Sequence, residues 1–544
     1  MNLLVFEQDK PYVKKCLENG EIDYLEAVSE GAETDFFEYL NTRRILRDLA
    51  ESYPLKRKKQ EVPLWLYVAS DISLRLHGMQ SFHGYPLVIR TGGLLNALGP
   101  EVGKKTVHPK TGQVTIHCPG FNHKNKYDRQ TPCDQDFLRK MARETEADKL
   151  VRWFNTQMPQ LLERERLFDP EGIFIGDASY IFVPDNENYQ NSDVLLFDEH
   201  NHPVEKEKLS PSQLRGCRYR RCYKWVELIH TNASGEFFFF VAMRLGRGKA
   251  HEGPLLYELV EQFLEIVGKG VMKWLIVDRG FLDGKRIAHL KRHWKVDILS
   301  GLRSDMAVLE DARGLLKAEP VEWQDYQPLT PPPPPVTPAK PESLLSREEA
   351  RRRTLILQGR WPKPRPPEKV VAFNDLTSWQ ACPVPLTVVL TQQQDKPPWG
   401  LVTTFETQDA PLIRDRYHLR ETIEERHRQI KLFWDLTGFH SPNFNLVTNQ
   451  VVFVALTYTL LQMQLLGENR PELNRMTRRT LQHQMLPHGN HIVVYAQQYY
   501  GFFDIPEYTE IVMTIGEPGK SKLLRKVRRI RRNFLRGLNW PRGP

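Results

Sequence analysis

Cysteine is scarce: the 544-residue chain holds six, without regular spacing. That excludes a disulfide framework and fits a reducing cytoplasm. The N-terminus lacks a charged stretch followed by an apolar run, so no secretory signal is read there. Long uncharged runs are almost absent. The longest, about residues 444–467, contains Asn449, Gln450, Thr457, Thr459, Gln462 and Gln464. It reads as a buried helix, although its length also suits a membrane span. Acidic residues are missing from the far end, where residues 519–544 carry ten Lys or Arg and no Asp or Glu. The formal net charge of +9 therefore sits there, and the rest of the chain is nearly neutral. Leu523, Leu524, Val527, Ile530 and Phe534 recur at helical spacing among those cations. Such a basic amphipathic helix can follow nucleic-acid phosphates, lie on a membrane, bind a partner or remain solvated.

The length implies more than one domain with ample core. Residues 1 to about 165 are expected to be mainly helical, with periodic segments near 34–52, 62–77 and 134–167. Residues 71–98 suggest two short helices joined near His83-Gly84-Tyr85-Pro86 and carrying Arg75 and Arg90, one form of a DNA-end reader. Cys118, His123 and Cys133, with His117 nearby, match no standard zinc spacing and lack a clean fourth ligand. Buried cysteines and surface histidines are the simpler expectation.

At Gly172 the texture changes. Residues 173–183 form a strand pattern with Asp177 as a single carboxylate in an apolar run. Strands are expected at 223–230 and 237–245, and an amphipathic helix at 254–267. A buried strand, Lys273-Trp274-Leu275-Ile276-Val277, then ends in Asp278-Arg279-Gly280-Phe281. A helix at 283–294 and a strand at 296–302 follow. Three strands, helix, strand, helix is the order of a ribonuclease-H-like α/β fold with a mixed sheet. A lone buried Asp is costly without compensation. Asp177 could also be a strand-end residue facing water, and Asp278 a turn former or helix cap.

Downstream, a helix reads Tyr417-His418-Leu419-Arg420-Glu421-Thr422-Ile423-Glu424 and continues to Lys431. At about 100° per residue, Tyr417, Arg420, Glu424 and Lys431 fall within about 60° of arc on one face. Leu419, Ile423, Ile430 and Phe433 are the expected interior anchors. Glu421 and Glu425 are turned away from Glu424, exposed or paired with arginines. An ordinary charged amphipathic helix would share this charge pattern.

The spacing of Tyr417, Arg420, Glu424 and Lys431 resembles the Tyr-Arg-Glu-Lys signature of bacterial insertion-sequence transposases of the DDE class, IS-four type. Trp399-Gly400-Leu401-Val402-Thr403-Thr404 resembles that family's strand leading to the helix, and Asp278-Arg279-Gly280-Phe281 its second motif. The resemblance covers about residues 170–440. It implies that Asp177, Asp278 and Glu424 are the catalytic carboxylates and hold two Mg²⁺ (Mn²⁺ able to substitute) about 3.5–4 Å apart. It also implies that Tyr417, Arg420 and Lys431 hold backbone phosphates near the cut.

Between Asp278 and Glu424 lie 145 residues, more than a crossover needs. The gap resembles the family's strand-rich insertion, with strand-like pieces at 320–326, 370–374, 386–391 and 401–405. A proline-rich basic stretch, 327–369, interrupts them. Its run Pro331–Pro335 favours an extended arm, and Arg351, Arg352, Arg353, Arg360, Lys363 and Arg365 could touch DNA or line a solvated linker. Trp379 and Trp399 are candidates for the base-stacking tryptophan of some relatives, with core packing the simpler expectation.

The domain plan expected is a helical N-terminal domain at 1–168, catalytic core at 169–303 and 399–440, insertion at 304–398, and a helical basic C-terminal region at 441–544. The implied function is cutting of element ends and joining of their 3′-hydroxyls to target DNA. Double-stranded DNA, both terminal inverted repeats and target, is the implied partner. A homodimeric synaptic complex, no membrane association and a bacterial, nucleoid-associated cytoplasmic location go with it. Another ribonuclease-H-like nuclease or resolvase, or a non-catalytic DNA-binding derivative, would share much of this pattern.

Overall fold

The computed structural model describes residues 3–4, 7–29, 32–55, 62–85, 104–107, 114–117, 133–318, 320–327, 367–393, 396–434, 436, 438–470, 490–497 and 499–537. In chain order the strands are β1 (Leu3–Leu4), β2 (Glu7–Gln8), β3 (Tyr24–Ser29), β4 (Lys104–Val107), β5 (Val114–His117), β6 (Ile173–Phe182), β7 (Asp193–Phe197), β8 (Arg218–Thr231) and β9 (Phe239–Arg247). They continue with β10 (Trp274–Val277), β11 (Asp297–Gly301), β12 (Gln324–Tyr326), β13 (Glu368–Leu376), β14 (Leu386–Gln392), β15 (Trp399–Thr403), β16 (Asn490–Ala496) and β17 (Tyr499–Asp504). Two compact units divide the chain. The first contains Met1–Asp169, Asp177–Gly268 and Glu425–Pro544; the second contains Pro170–Gly176 and Lys269–Glu424. Two of the divisions fall inside elements, within strand β6 and within helix Ala410–Phe433.

The second unit is a mixed sheet, which agrees with the α/β class expected. All four residues of β10 are buried, as a strand covered on both faces requires. It runs parallel to both β6 and β11, pairing Val277 with Gly176 and with Ser300. The β10-to-β11 connection contains helix Gly284–His289, the kind of crossover a parallel pair needs. Beyond β11 the sheet continues antiparallel through β15, β14, β13 and β12. These strands fall on the four pieces read in the insertion. A Cβ at Gly400 in β15 would come within 2.7 Å of Leu309 Cδ1, so a larger residue there would have to displace that leucine's methyl end. Residues 328–366, with the proline run and its arginines and lysine, lie outside the described residues.

In the first unit, the long strand β8 pairs with β6, β7 and β9. The far edge of β9 is closed by side chains instead of a further strand. Gln462 accepts from the Phe238 amide (2.8 Å) and donates to its carbonyl (3.0 Å), and Asn155 does the same at Met243 (2.9 and 3.1 Å). Thr459 accepts from the Phe240 amide. An unpaired strand edge buried under helices needs such partners. They explain Gln462 and Thr459 in helix Phe444–Gly467, which is long and apolar enough to cross a membrane yet is mostly buried inside this unit. Asn449 donates to Asp71 (2.5 Å) and accepts from Tyr67 (2.9 Å) at the same core.

Short strands stand beside the helices at both ends of the chain, which the helical expectation did not include. Five short strands lie before residue 168 and two after residue 440. β2, β17, β16 and β3 form one sheet, so residues 7–29 and 490–504 pair with each other. Val13, Leu17, Ile22, Val494, Phe503, Ile511 and Leu523 form its core. The basic helix Glu517–Gly537 inserts Leu523 there, leaving Leu524, Arg525, Arg528 and Arg529 exposed. The reader-helix expectation fails at Arg75. Its side chain is buried, 2.8 Å from the buried Asp71 carboxylate, and serves the core; Arg90 lies outside the described residues.

Candidate active site

The second unit carries Asp278, Tyr417, Arg420 and Glu424. Asp278 ends β10 where the apolar run stops, and its Oδ1 accepts from the Arg279 amide at 2.8 Å, capping the next turn. The side chain is 40% exposed and stands 3.5 Å from Arg420 Nη2. Both the cap and a charge partner are therefore real; neither precludes the other. Arg420 sits one turn beyond Tyr417, whose ring is buried beside Trp399 at 6.4 Å between centroids. Burial raises the Tyr417 hydroxyl above its ordinary value, against the lowering pull of Arg420. Glu424 is exposed on the same helix.

That helix is anchored by the apolar positions read from its periodicity: Leu419, Ile423 and Ile430 are buried, and the Phe433 side chain lies outside the described residues. A second anchor is ionic. Arg414 Nε donates to Glu368 of β13 at 2.8 Å, with both side chains buried, and its Nη1 lies 3.4 Å from Glu421. Glu421 also meets His418 Nδ1 at 3.0 Å. Glu421 is thus a partner for neighbouring cations. Trp399 lies under the Arg414 guanidinium, 5.2 Å from its ring centroid, as a packed side chain.

The first unit carries Asp177 and Lys431. Asp177 is nearly buried on β6, its Oδ1 accepting from the Ala178 amide at 2.9 Å. Ser179, two residues on and so on the same strand face, accepts from Lys431 Nζ. Burial lowers the Lys431 pKa, against the opposing pull of Glu227 and Asp177. Glu227, fully buried on β8, contacts His427 Nε2 one turn before Lys431. Burial raises Glu227. For His427 burial acts against the charged form, but the Glu227 carboxylate outweighs it and the pKa rises. Glu227 and His427 were missed in the sequence. The available signal was a single acid in the apolar run Trp225-Val226-Glu227-Leu228-Ile229, the same pattern that marked Asp177.

The paired register of β6 and β10 closes at Gly176 and Val277. On each strand the next residue along the chain is an aspartate, Asp177 and Asp278. Among the described residues no group of three or more His, Cys, Asp or Glu side chains is gathered as a metal cluster. Cys133 is buried, its Sγ 3.7 Å from the Tyr85 hydroxyl; Cys118, His123 and the His117 side chain lie outside the described residues.

No curated protein matches the chain. Residues 189–460, half of the chain, match the family model described as the transposase DDE domain. The matched stretch includes Asp278, Tyr417, Arg420, Glu424 and Lys431, while Asp177 precedes it. The chain belongs to the transposase DDE domain family.

Proposed function

We propose that this transposase is of the IS-four type, cutting the ends of its own element and joining their 3′-hydroxyls to target DNA. Asp177, Asp278 and Glu424 are assigned as its catalytic carboxylates, and Tyr417, Arg420 and Lys431 as phosphate ligands. The observation that carries the reading is the closing register of the parallel pair β6 and β10, with an aspartate next on each strand. The strand-and-helix order along the chain, β6, β7, β8, β9, helix Glu252–Val267, β10, helix Gly284–His289 and β11, supports a ribonuclease-H-like core with β7 as one strand more than the expected three, paired with β8.

The donor chemistry fits a divalent cation: three carboxylates supply only hard oxygens, which suit Mg²⁺ and tolerate Mn²⁺. Two such ions would supply a deprotonated nucleophile at neutral pH and charge stabilisation at the departing 3′ oxygen. Arg420 and Lys431 bring positive charge beside Asp278 and Asp177 respectively. Each can exchange that carboxylate for a backbone phosphate when DNA enters. The Tyr417 hydroxyl, kept protonated by burial, donates to phosphate without adding charge. Cations and a hydroxyl hold the backbone in register without reading sequence. The partners proposed are double-stranded terminal repeats and target DNA, bound by a homodimer.

Joining of pre-cleaved ends tests the reading. With Mg²⁺ and duplexes carrying the element's terminal inverted repeats, wild-type protein should attach their 3′ ends to a target plasmid. Cleavage of branched or looped DNA with no joining would instead identify a nuclease or resolvase.

A further inference from the structure

The first unit contains a cleft of about 480 Å³ that none of the roles above uses. Helix Gln135–Glu144 forms one wall. The turn 80–83 after helix Leu64–Leu76 forms another, and the approach to helix Phe444–Gly467 the third. Phe439 and Val447 make an apolar, buried floor. Apart from the buried Arg75, paired with Asp71, the charged lining residues are exposed at the rim.

Arg139 and Arg143 stand one turn apart on the same helix face, and His83 and His440 come from the other two walls. All four residues are exposed. The two rings are braced: His83 Nδ1 lies 3.1 Å from Gln135 Nε2, and His440 Nε2 lies 3.1 Å from Gln80 Oε1. Asp136 is the one carboxylate among the described lining residues. It meets Arg139 at 3.1 Å, but the two side chains are 72% and 62% exposed, so solvent screens the pair and a stronger anion can replace it. Arg143 has no ion pair among the described residues; the neighbouring Glu144 is paired with Lys140. Arg75, beneath the rim, is already neutralised by Asp71.

A small phosphate would call for cations converging on one point. Here the two guanidinium groups stand side by side along one exposed helix face, and the imidazoles of His83 and His440 and the neutral amides of Gln80, Gln135 and Asn443 complete the lining. A row of guanidinium groups flanked by neutral donors suits successive phosphates of a nucleic-acid backbone. We propose that this cleft binds the sugar–phosphate backbone of duplex DNA, with Arg139 and Arg143 as its principal phosphate ligands. The assignment rests on the transposase reading and adds a contact surface outside the residues of the cut.

The test measures binding of a fluorescent duplex by full-length protein without divalent metal, between about 50 and 200 mM salt. The double variant Arg139→Gln, Arg143→Gln should bind about tenfold more weakly. Its plot of log affinity against log salt should be shallower by about 1.8, at about 0.9 per neutralised phosphate. Arg139→Lys with Arg143→Lys should keep most of the slope. Circular dichroism of each variant should match wild type, because both arginines are exposed. Unchanged affinity and slope in a folded glutamine variant would overturn the cleft assignment alone. So would binding of inorganic phosphate that the variant loses while duplex affinity stays constant. Wild-type protein without affinity for any duplex would overturn the transposase reading along with it.

Discussion

Glu368→Gln is the perturbation that most directly probes how the helix carrying Tyr417, Arg420 and Glu424 is held. Glu368 and Arg414 have side chains only 1% and 3% exposed, joined at 2.8 Å with a second contact at 3.4 Å. The amide keeps the shape and can still accept from Gln393, now at 2.7 Å, but it removes the charge. Arg414 then retains Glu421 at 3.4 Å, a partly exposed and weaker partner. Breaking a buried ion pair by removing one charge costs roughly 3–5 kcal/mol, because the other charge stays desolvated. Denaturant unfolding followed by fluorescence should show a loss in that range for the transition of the second unit. The apolar replacement Glu368→Leu with Arg414→Met should recover much of it, since no orphan charge remains. A loss below about 1 kcal/mol for Glu368→Gln would refute the reasoning.

Stability of the first unit should fall as pH rises through and above the ordinary histidine value of 6.5. The raised pKa of His427 means that its contribution is complete below that value and is lost through the higher folded value, and the raised Glu227 acts in the same direction. Thermal unfolding across pH should show this slope, and Glu227→Gln combined with His427→Gln should flatten it, since both raised groups are then gone; an unaltered slope in the double variant would contradict the assignment. Gln462→Leu should destabilise by roughly 2–6 kcal/mol, because the amide and carbonyl of Phe238 are both left without a partner. A denaturation midpoint equal to wild type would rule that out. Replacing Arg525, Arg528 and Arg529 by Gln leaves the Leu523 anchor intact. It should weaken duplex binding and flatten its salt dependence by about 0.9 for each phosphate no longer neutralised; equal affinity at low and moderate salt would show that the basic helix does not meet DNA.

Local patterns carried most of what was legible. β10 could be read because four consecutive apolar residues stop at a carboxylate and a turn glycine, and β6 because its apolar run is broken once, at Asp177. β13, β14 and β15 were readable from β-branched residues between polar breaks, whereas β12, Gln324-Asp325-Tyr326, holds none. Long-range pairing was not: nothing in residues 24–29 announces that Leu25 will face Val494 across a sheet. Residue type also says little about exposure. Arg75 looked like a surface cation, yet Asp71 four residues earlier made it a buried pair. Leu524 matched the apolar spacing of the basic helix but faces solvent, while Leu523 enters the core and Val527 packs against it. The Glu227–His427 pair was hidden for a similar reason: 200 residues separate its members, and neither belongs to a spaced motif. Asp177, Asp278 and Glu424 were named from a resemblance rather than from geometry, so their role is the claim that most needs experiment.

That experiment is Mg²⁺-dependent cleavage of a labelled duplex bearing the element's terminal repeats, with Asp177→Asn, Asp278→Asn and Glu424→Gln compared one at a time. Each substitution should lower the cleavage rate by at least about a hundredfold while duplex binding is retained. Full metal-dependent cleavage by any one of the three would remove that residue from the catalytic set and contradict the account.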